Sequence, residues 1–140
     1  MQIYKTTNKS KKVFVPLYSS LVKAGFPSPA DDYINKKIDL NDYFISKPNS
    51  TFIVQVSGDS MIGVGIMPND HLIIDRSKTV KDNSVVLAIV DSEFCVKRYR
   101  TINNTIYLYS ENKNYRPIKI SGEMDFEVWG VVVGVTRKLG

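Results

Sequence analysis

The run from Ser84 to Tyr109 decides the fold: Ser84-Val85-Val86-Leu87-Ala88-Ile89-Val90, then Asp91-Ser92, then Glu93-Phe94-Cys95-Val96-Lys97-Arg98-Tyr99-Arg100, and, past Asn103-Asn104, Thr105-Ile106-Tyr107-Leu108-Tyr109. Each apolar piece is short and rich in β-branched or aromatic residues, which suit a pleated and partly buried backbone. Asp-Ser and Asn-Asn tolerate the left-handed conformations that tight hairpin turns demand. The stretch therefore predicts successive antiparallel strands.

Working outward, Thr51 to Ser57 and His71 to Asp75 have the same character, with Met67-Pro68-Asn69-Asp70 as a turn between them. Glu127 to Thr136 reads as a closing strand carrying Gly130 and Gly134. The expectation is a mainly β domain of bent, partly barrel-like sheets with little helix. Between Ala30 and Phe44 one or two short helices are expected, with Asp31 or Asp39 as N-caps.

Upstream, residues 1–24 are polar and lysine-rich apart from Val13 to Leu17 and Leu21 to Ala24, the pattern of a flexible, extended arm. Ala24-Gly25-Phe26-Pro27-Ser28-Pro29 follows, where small residues and two prolines disfavour helix and keep the backbone extended. Such a segment fits a protease cleft. The expected organisation is an arm over residues 1–24 and a domain over residues 25–140.

The chain has 140 residues, 43% of them hydrophobic, enough for one domain with a usable core. Its single cysteine, Cys95, lies in an apolar run and forms no internal disulfide, which points to a cytoplasmic protein. No apolar stretch reaches the roughly 18 residues of a membrane span, so no membrane association is expected. The net charge of +5 resides in Lys5, Lys9, Lys11, Lys12 and Lys23, because residues 25–140 hold 14 basic and 14 acidic side chains. A lysine-rich arm suits at most weak or indirect contact with DNA, and equally a solvated tail.

Ser57-Gly58-Asp59-Ser60-Met61 follows directly on the strand that begins at Thr51, which places Ser60 on a glycine-preceded turn at a sheet end. The backbone N–H groups of Asp59 and Ser60 are candidates for an oxyanion site there. The same tripeptide also describes an ordinary β-turn. His71, the one histidine, opens a strand just after a turn and makes a poor triad member. A neutral lysine is the remaining common base. Lys97 shares a strand face with Cys95 and Tyr99 by the period of two. Burial among such neighbours disfavours the ammonium, and lowering the lysine pKa of about 10.4 by three units corresponds to roughly 4 kcal/mol. A solvent-facing lysine beside Arg98 and Arg100 is the alternative. No metal or cofactor is implied.

Taken together, Gly25-Phe26-Pro27-Ser28-Pro29-Ala30, Ser57-Gly58-Asp59-Ser60-Met61-Ile62, Glu93-Phe94-Cys95-Val96-Lys97 and Val128-Trp129-Gly130-Val131-Val132 resemble the UmuD branch of the LexA-type Ser/Lys autopeptidases. The order and spacing of these motifs, 36 residues from Ala24 to Ser60 and 37 from Ser60 to Lys97, make the combination specific. The resemblance implies the compact β domain shared by LexA and signal peptidases. It further implies self-cleavage of the Ala24-Gly25 bond, stimulated by a RecA-DNA filament in the SOS response, with Ser60 as nucleophile and Lys97 as base. In such proteins the trimmed product forms a homodimer and joins a UmuC-like Y-family polymerase for error-prone translesion synthesis. Gly63 departs from the acidic residue of many relatives and is expected to loosen the turn after Ser60.

Three other functions use related parts. A LexA-like repressor needs a DNA-reading module, and residues 1–24 offer neither the length nor the periodicity of a helix-turn-helix. A signal peptidase is expected to carry a membrane anchor, for which no segment qualifies. A non-catalytic polymerase accessory subunit would leave Ser60 and Lys97 idle.

Overall fold

A computed structural model describes residues 3–5, 11–18, 21–25 and 34–140. Its elements are β1 (Ile3–Lys5), β2 (Val15–Tyr18), β3 (Ile34–Ile38), α1 (Leu40–Phe44), β4 (Thr51–Gln55), β5 (His71–Asp75), β6 (Val85–Val90), β7 (Glu93–Ile102), β8 (Thr105–Tyr109), β9 (Ile118–Lys119) and β10 (Phe126–Thr136). Two compact units result, one of residues 1–7 and 47–140 and one of residues 8–46.

In the larger unit eight strands form one sheet in the order β1-β4-β5-β10-β6-β7-β8-β9. Every neighbouring pair is antiparallel. The sheet is open, with β1 and β9 at its ends, and the mainly β expectation holds. Its bend comes from β10, whose first half pairs with β6 and whose second half pairs with β5. Val131 stands at the switch, opposite Val86 on one side and Asp75 on the other.

Irregularities between Val128 and Gly130, and between Val132 and Gly134, give β10 its extra curvature. The Trp129 carbonyl in the first of them accepts a hydrogen bond from Arg76 Nε at 2.8 Å. The Arg76 guanidinium also lies 4.3 Å from the centroid of the Trp129 ring. Gly130 is required because its backbone rests on Ile74, where a Cβ would collide with Ile74 Cγ2.

The turns have the chemistry read from the sequence. Asp91 and Ser92 take φ of 47° and 69°, and Asn103 and Asn104 take 51° and 62°. Positive φ at both central residues matches the right-handed twist of the flanking strands. These two-residue turns fix the register of β6 on β7 and of β7 on β8, for example Leu87 opposite Val96 and Ile102 opposite Thr105.

Alternation then sorts the apolar side chains into two clusters. Val54, Val56, Met61, Ile66, Leu72, Ile74, Leu87 and Val96 form one, against which Trp129 packs. Val86, Ala88, Leu108 and Val131 form the other, with Cys95 and Tyr99 against it.

In the smaller unit β2 and β3 pair antiparallel, so Ile34–Ile38 is strand where a helix was expected. Pairing with a neighbouring strand outweighs a weak local preference there. The helix that does form, α1, starts at the expected cap: Asp39 accepts from the Asp42 N–H at 3.0 Å and from the Val13 N–H at 2.6 Å. The Val13 N–H, followed by that of Asp42, holds the Asp39 carboxyl below the usual carboxylate range. The alternative cap, Asp31, lies outside the described residues.

Gly130→Ala should destabilise the protein by about 1–3 kcal/mol, because the added methyl overpacks the contact with Ile74. Chemical denaturation of the purified chain measures it, and a midpoint equal to wild type would show that β10 can shift away from β5 without cost.

Candidate active site

Ser60 lies on the turn that follows β4, and both sides of this turn are anchored. On the near side Val56 exchanges backbone hydrogen bonds with the Pro-Asn-Asp turn, its N–H donating to the Asp70 carbonyl at 2.9 Å and its carbonyl accepting from Asn69 at 2.8 Å. On the far side Met61 is fully buried in the first apolar cluster. Between them Gly58 adopts a φ of 83°, a conformation glycine takes without steric cost. Ser60 is left half-buried and Asp59 exposed.

A short 3-10 turn at Ile62–Val64 continues the chain and is closed by Gly65 with a φ of 82°. Within it, Gly63 does not loosen the segment. Its N–H donates to the Glu111 carbonyl at 2.7 Å, and a Cβ on it would sit 2.5 Å from that oxygen. Glycine here lets the nucleophile-candidate turn dock on the chain after β8.

Lys97 lies in the middle of β7, opposite Val86, and only 9% of its surface is exposed. The alternative of a solvent-facing lysine is thereby ruled out. Its strand mates Cys95 and Tyr99 pack on the second apolar cluster, as the period of two requires. Burial pushes the Lys97 ammonium below the ordinary lysine range, and interaction with Cys95 only partly opposes this. Burial in turn pushes the Cys95 thiol up, which makes it an unreactive packing residue.

The Lys97 Nζ donates to Ser110 Oγ at 2.7 Å and lies 5.3 Å from the centroid of the Tyr115 ring. Tyr115 also reaches the serine turn, its hydroxyl donating to Asp59 Oδ1 at 2.5 Å. Asn112 Nδ2 adds a bond to the Asp59 carbonyl at 2.9 Å. Glu111 accepts from Arg98 Nε, the residue after Lys97. One segment, residues 110–115, therefore holds the lysine through Ser110 and Tyr115 and the serine turn through Glu111, Asn112 and Tyr115.

None of these segment residues was singled out from the sequence, although one was legible. A two-residue turn at Asn103-Asn104 puts Arg98 opposite Tyr109, and one step further along the ladder Ser110 falls opposite Lys97. Asn112 and Tyr115 meet Asp59 across more than 50 residues of chain, a contact no local pattern announces.

His71 stands elsewhere, at the start of β5 in a cavity it shares with Asp70, Thr136 and Arg137. There Asp70, fully buried, pairs with Arg137 at 2.6 Å, and Arg137 first of all holds its carboxyl below the usual range. Ala24 and Gly25 are exposed within the smaller unit. Among the described residues no group of His, Cys, Asp and Glu has the geometry of a metal site. None of the described helices is long and apolar enough to cross a membrane.

A family model described as Peptidase S24-like matches residues 16–133. The protein MucA of Salmonella typhimurium is 34% identical over 133 residues, covering 94% of this chain and 90% of MucA. The protein ImpA of Shigella flexneri is 45% identical over 83 residues, which make up 59% of this chain and 57% of ImpA. The LexA repressor of Clostridium perfringens is 32% identical over 138 residues, 98% of this chain and 66% of the repressor.

A buried ammonium costs stability that an apolar side chain does not, so Lys97→Met should raise the melting temperature at neutral pH by a few degrees, about 1–2 kcal/mol. The sign follows from the lowered pKa: the folded state binds fewer protons than the unfolded chain between the two Lys97 values. The cost is therefore full at low pH and fades as pH rises toward the ordinary lysine value of 10.5. Thermal unfolding of both proteins at pH 6 and pH 10 should show the larger gain at pH 6; an equal gain at both would mean that Lys97 is not penalised by burial.

Proposed function

The chain belongs to the Peptidase S24-like family, and from that membership we propose that it is a serine endopeptidase acting on its own Ala24-Gly25 bond with Ser60 as nucleophile and Lys97 as base. The observation that carries this reading is the buried Lys97, held below its ordinary pKa and tied through the Tyr115 ring to the residue that precedes Ser60. A lysine that loses its proton near neutral pH has the property a general base needs.

In the reaction so assigned, Ser60 Oγ attacks the Ala24 carbonyl carbon while its proton passes to the neutral Lys97 Nζ. The carbonyl oxygen takes up the electron pair and faces the backbone N–H groups of Asp59 and Ser60. Collapse of this tetrahedral species breaks the bond to the Gly25 nitrogen, which leaves as an amine with the proton returned by Lys97. Water then attacks the Ala24–Ser60 ester, again with Lys97 as base, and releases the Ala24 carboxylate and free Ser60. The net reaction consumes one water. It leaves a fragment of residues 1–24 and a domain of residues 25–140.

The wider role proposed is that of the UmuD-like proteins. A RecA-DNA filament stimulates the cut in the cytoplasm during the SOS response, and the trimmed homodimer joins a UmuC-like Y-family polymerase that copies damaged DNA with errors. The charge balance supports a change of partner on cleavage, because the released arm carries five lysines and no acid and the remainder is neutral in side-chain charge. Attraction to acidic surfaces is thereby weakened in the product.

Incubation of the purified chain at rising pH, with fragments identified by mass spectrometry, tests the chemistry. Release of a fragment beginning at Gly25 should accelerate with pH until Lys97 is fully neutral, and Ser60→Ala and Lys97→Ala should each stop it. A rate flat from about pH 6 to 10, or continued release by either variant, would remove these residues from the reaction.

A further inference from the structure

We infer that Ser110 is a positioning residue for the catalytic base: it binds one N–H of Lys97 and so aims the remaining lone pair of the neutral amine at the Ser60 hydroxyl. The inference rests on the proposed role of Lys97 and adds a residue that neither the serine turn nor the lysine strand contains.

The geometry follows from the register. The Asn103-Asn104 turn sets β8 against β7 so that Ser110, the first residue past β8, faces Lys97 across the ladder. Cross-strand partners lie about 4.5–5.5 Å apart at Cβ, close enough for a serine to meet the end of a lysine folded back over the sheet. The observed contact, Nζ to Oγ at 2.7 Å, is a short, well-formed hydrogen bond. A lysine has four flexible carbons in its side chain, so burial alone leaves its amine free to point in several directions. An acceptor fixed by the strand ladder removes that freedom.

Ser110 is itself held in place. The next residue, Glu111, ties its carbonyl to the Gly63 N–H and its carboxylate to Arg98, on either side of the serine turn and the lysine strand. Ser110 is thus built into the frame that joins the two halves of the dyad. Tyr115 contacts the same amine through its ring, but a ring face attracts the charged ammonium and offers the neutral amine no directed partner. Cys95, two residues before Lys97 on the same strand face, is a weak acceptor. Ser110 is the strong, directed acceptor at this position.

Loss of the acceptor has two separable effects on the reaction. Misdirection of the base by about 1 Å costs on the order of a hundredfold in rate, so the plateau of cleavage at high pH falls in Ser110→Ala. The hydrogen bond also favours the protonated amine, which donates more strongly than the neutral one. Its removal therefore shifts the midpoint of the pH–rate profile to lower pH. A merely structural role would lower the rate without moving the midpoint downward.

The test is self-cleavage of the full chain from about pH 6 to 11, with fragment release followed by mass spectrometry for wild type, Ser110→Ala, Ser110→Thr, Ser110→Cys and Lys97→Ala. The expected result is a ten- to hundredfold lower plateau and a lower midpoint for Ser110→Ala, with Ser110→Thr close to wild type because it keeps the hydroxyl. Ser110→Cys, nearly the same shape with a weak acceptor, should follow Ser110→Ala and serves in its place should that variant fail to fold. Wild-type profiles for the alanine and cysteine variants, with Lys97→Ala inactive, would overturn the role of Ser110 and leave the dyad intact. Cleavage by Lys97→Ala would instead overturn the dyad itself.

Discussion

The structure turns on a lysine kept out of water. An ammonium is stable in bulk solvent and costly in an apolar interior, and the balance between those environments sets its proton affinity. Lys97 meets this condition because β7 is an interior strand, with β6 on one side and β8 on the other, and because its face is shared with Cys95 and Tyr99. The opposing contributions are visible and smaller. The Tyr115 ring and the Ser110 hydroxyl both favour the charged form, yet the net displacement is downward. A cation over a ring is worth roughly 0.5–2 kcal/mol, while loss of hydration is the largest single influence on the Lys97 amine. Desolvation wins.

In the proposed dyad the base must be aligned with the nucleophile, and the six residues from Ser110 to Tyr115 are the segment that touches both the lysine strand and the serine turn. They reach the serine turn by backbone at Gly63, by side chain at Asp59, and the lysine strand at Lys97 and Arg98. Gly63 is the small part that permits this, since the carbonyl of Glu111 occupies the space a Cβ would need. What the sequence presents as a gap in a loop is a close approach of two backbones. The serine turn gains stiffness from it, and Met61 in the core supplies the rest.

Much of this was legible residue by residue. Asn103-Asn104 and Asp91-Ser92 announce hairpins because few dipeptides accept two left-handed residues in a row, and the strands around them alternate as a half-buried sheet must. Counting in twos from Cys95 put Lys97 on the face of Cys95 and Tyr99, but left a solvent-facing lysine as the alternative until the structure showed it buried. Ser110 was readable in principle from the hairpin register, but only by extending the ladder one residue beyond the apolar run. The helix cap at Asp39 was local chemistry and was found, whereas Ile34–Ile38 was not. That strand exists through its pairing with Val15–Tyr18, which lies far upstream. Asn112 and Tyr115 escaped for the same physical reason: their partner, Asp59, is chosen by the tertiary fold.

The central claim is that burial, not a charged neighbour, lowers the proton affinity of Lys97. Its most direct test is a titration of the lysine side chains by nitrogen-15 NMR in full-length Ser60→Ala protein, with the Lys97 signal assigned by its loss in a Lys97→Met background. The account predicts that Lys97 titrates clearly below the ordinary lysine value of about 10.4. A Lys97 signal that titrates at or above that value would contradict it.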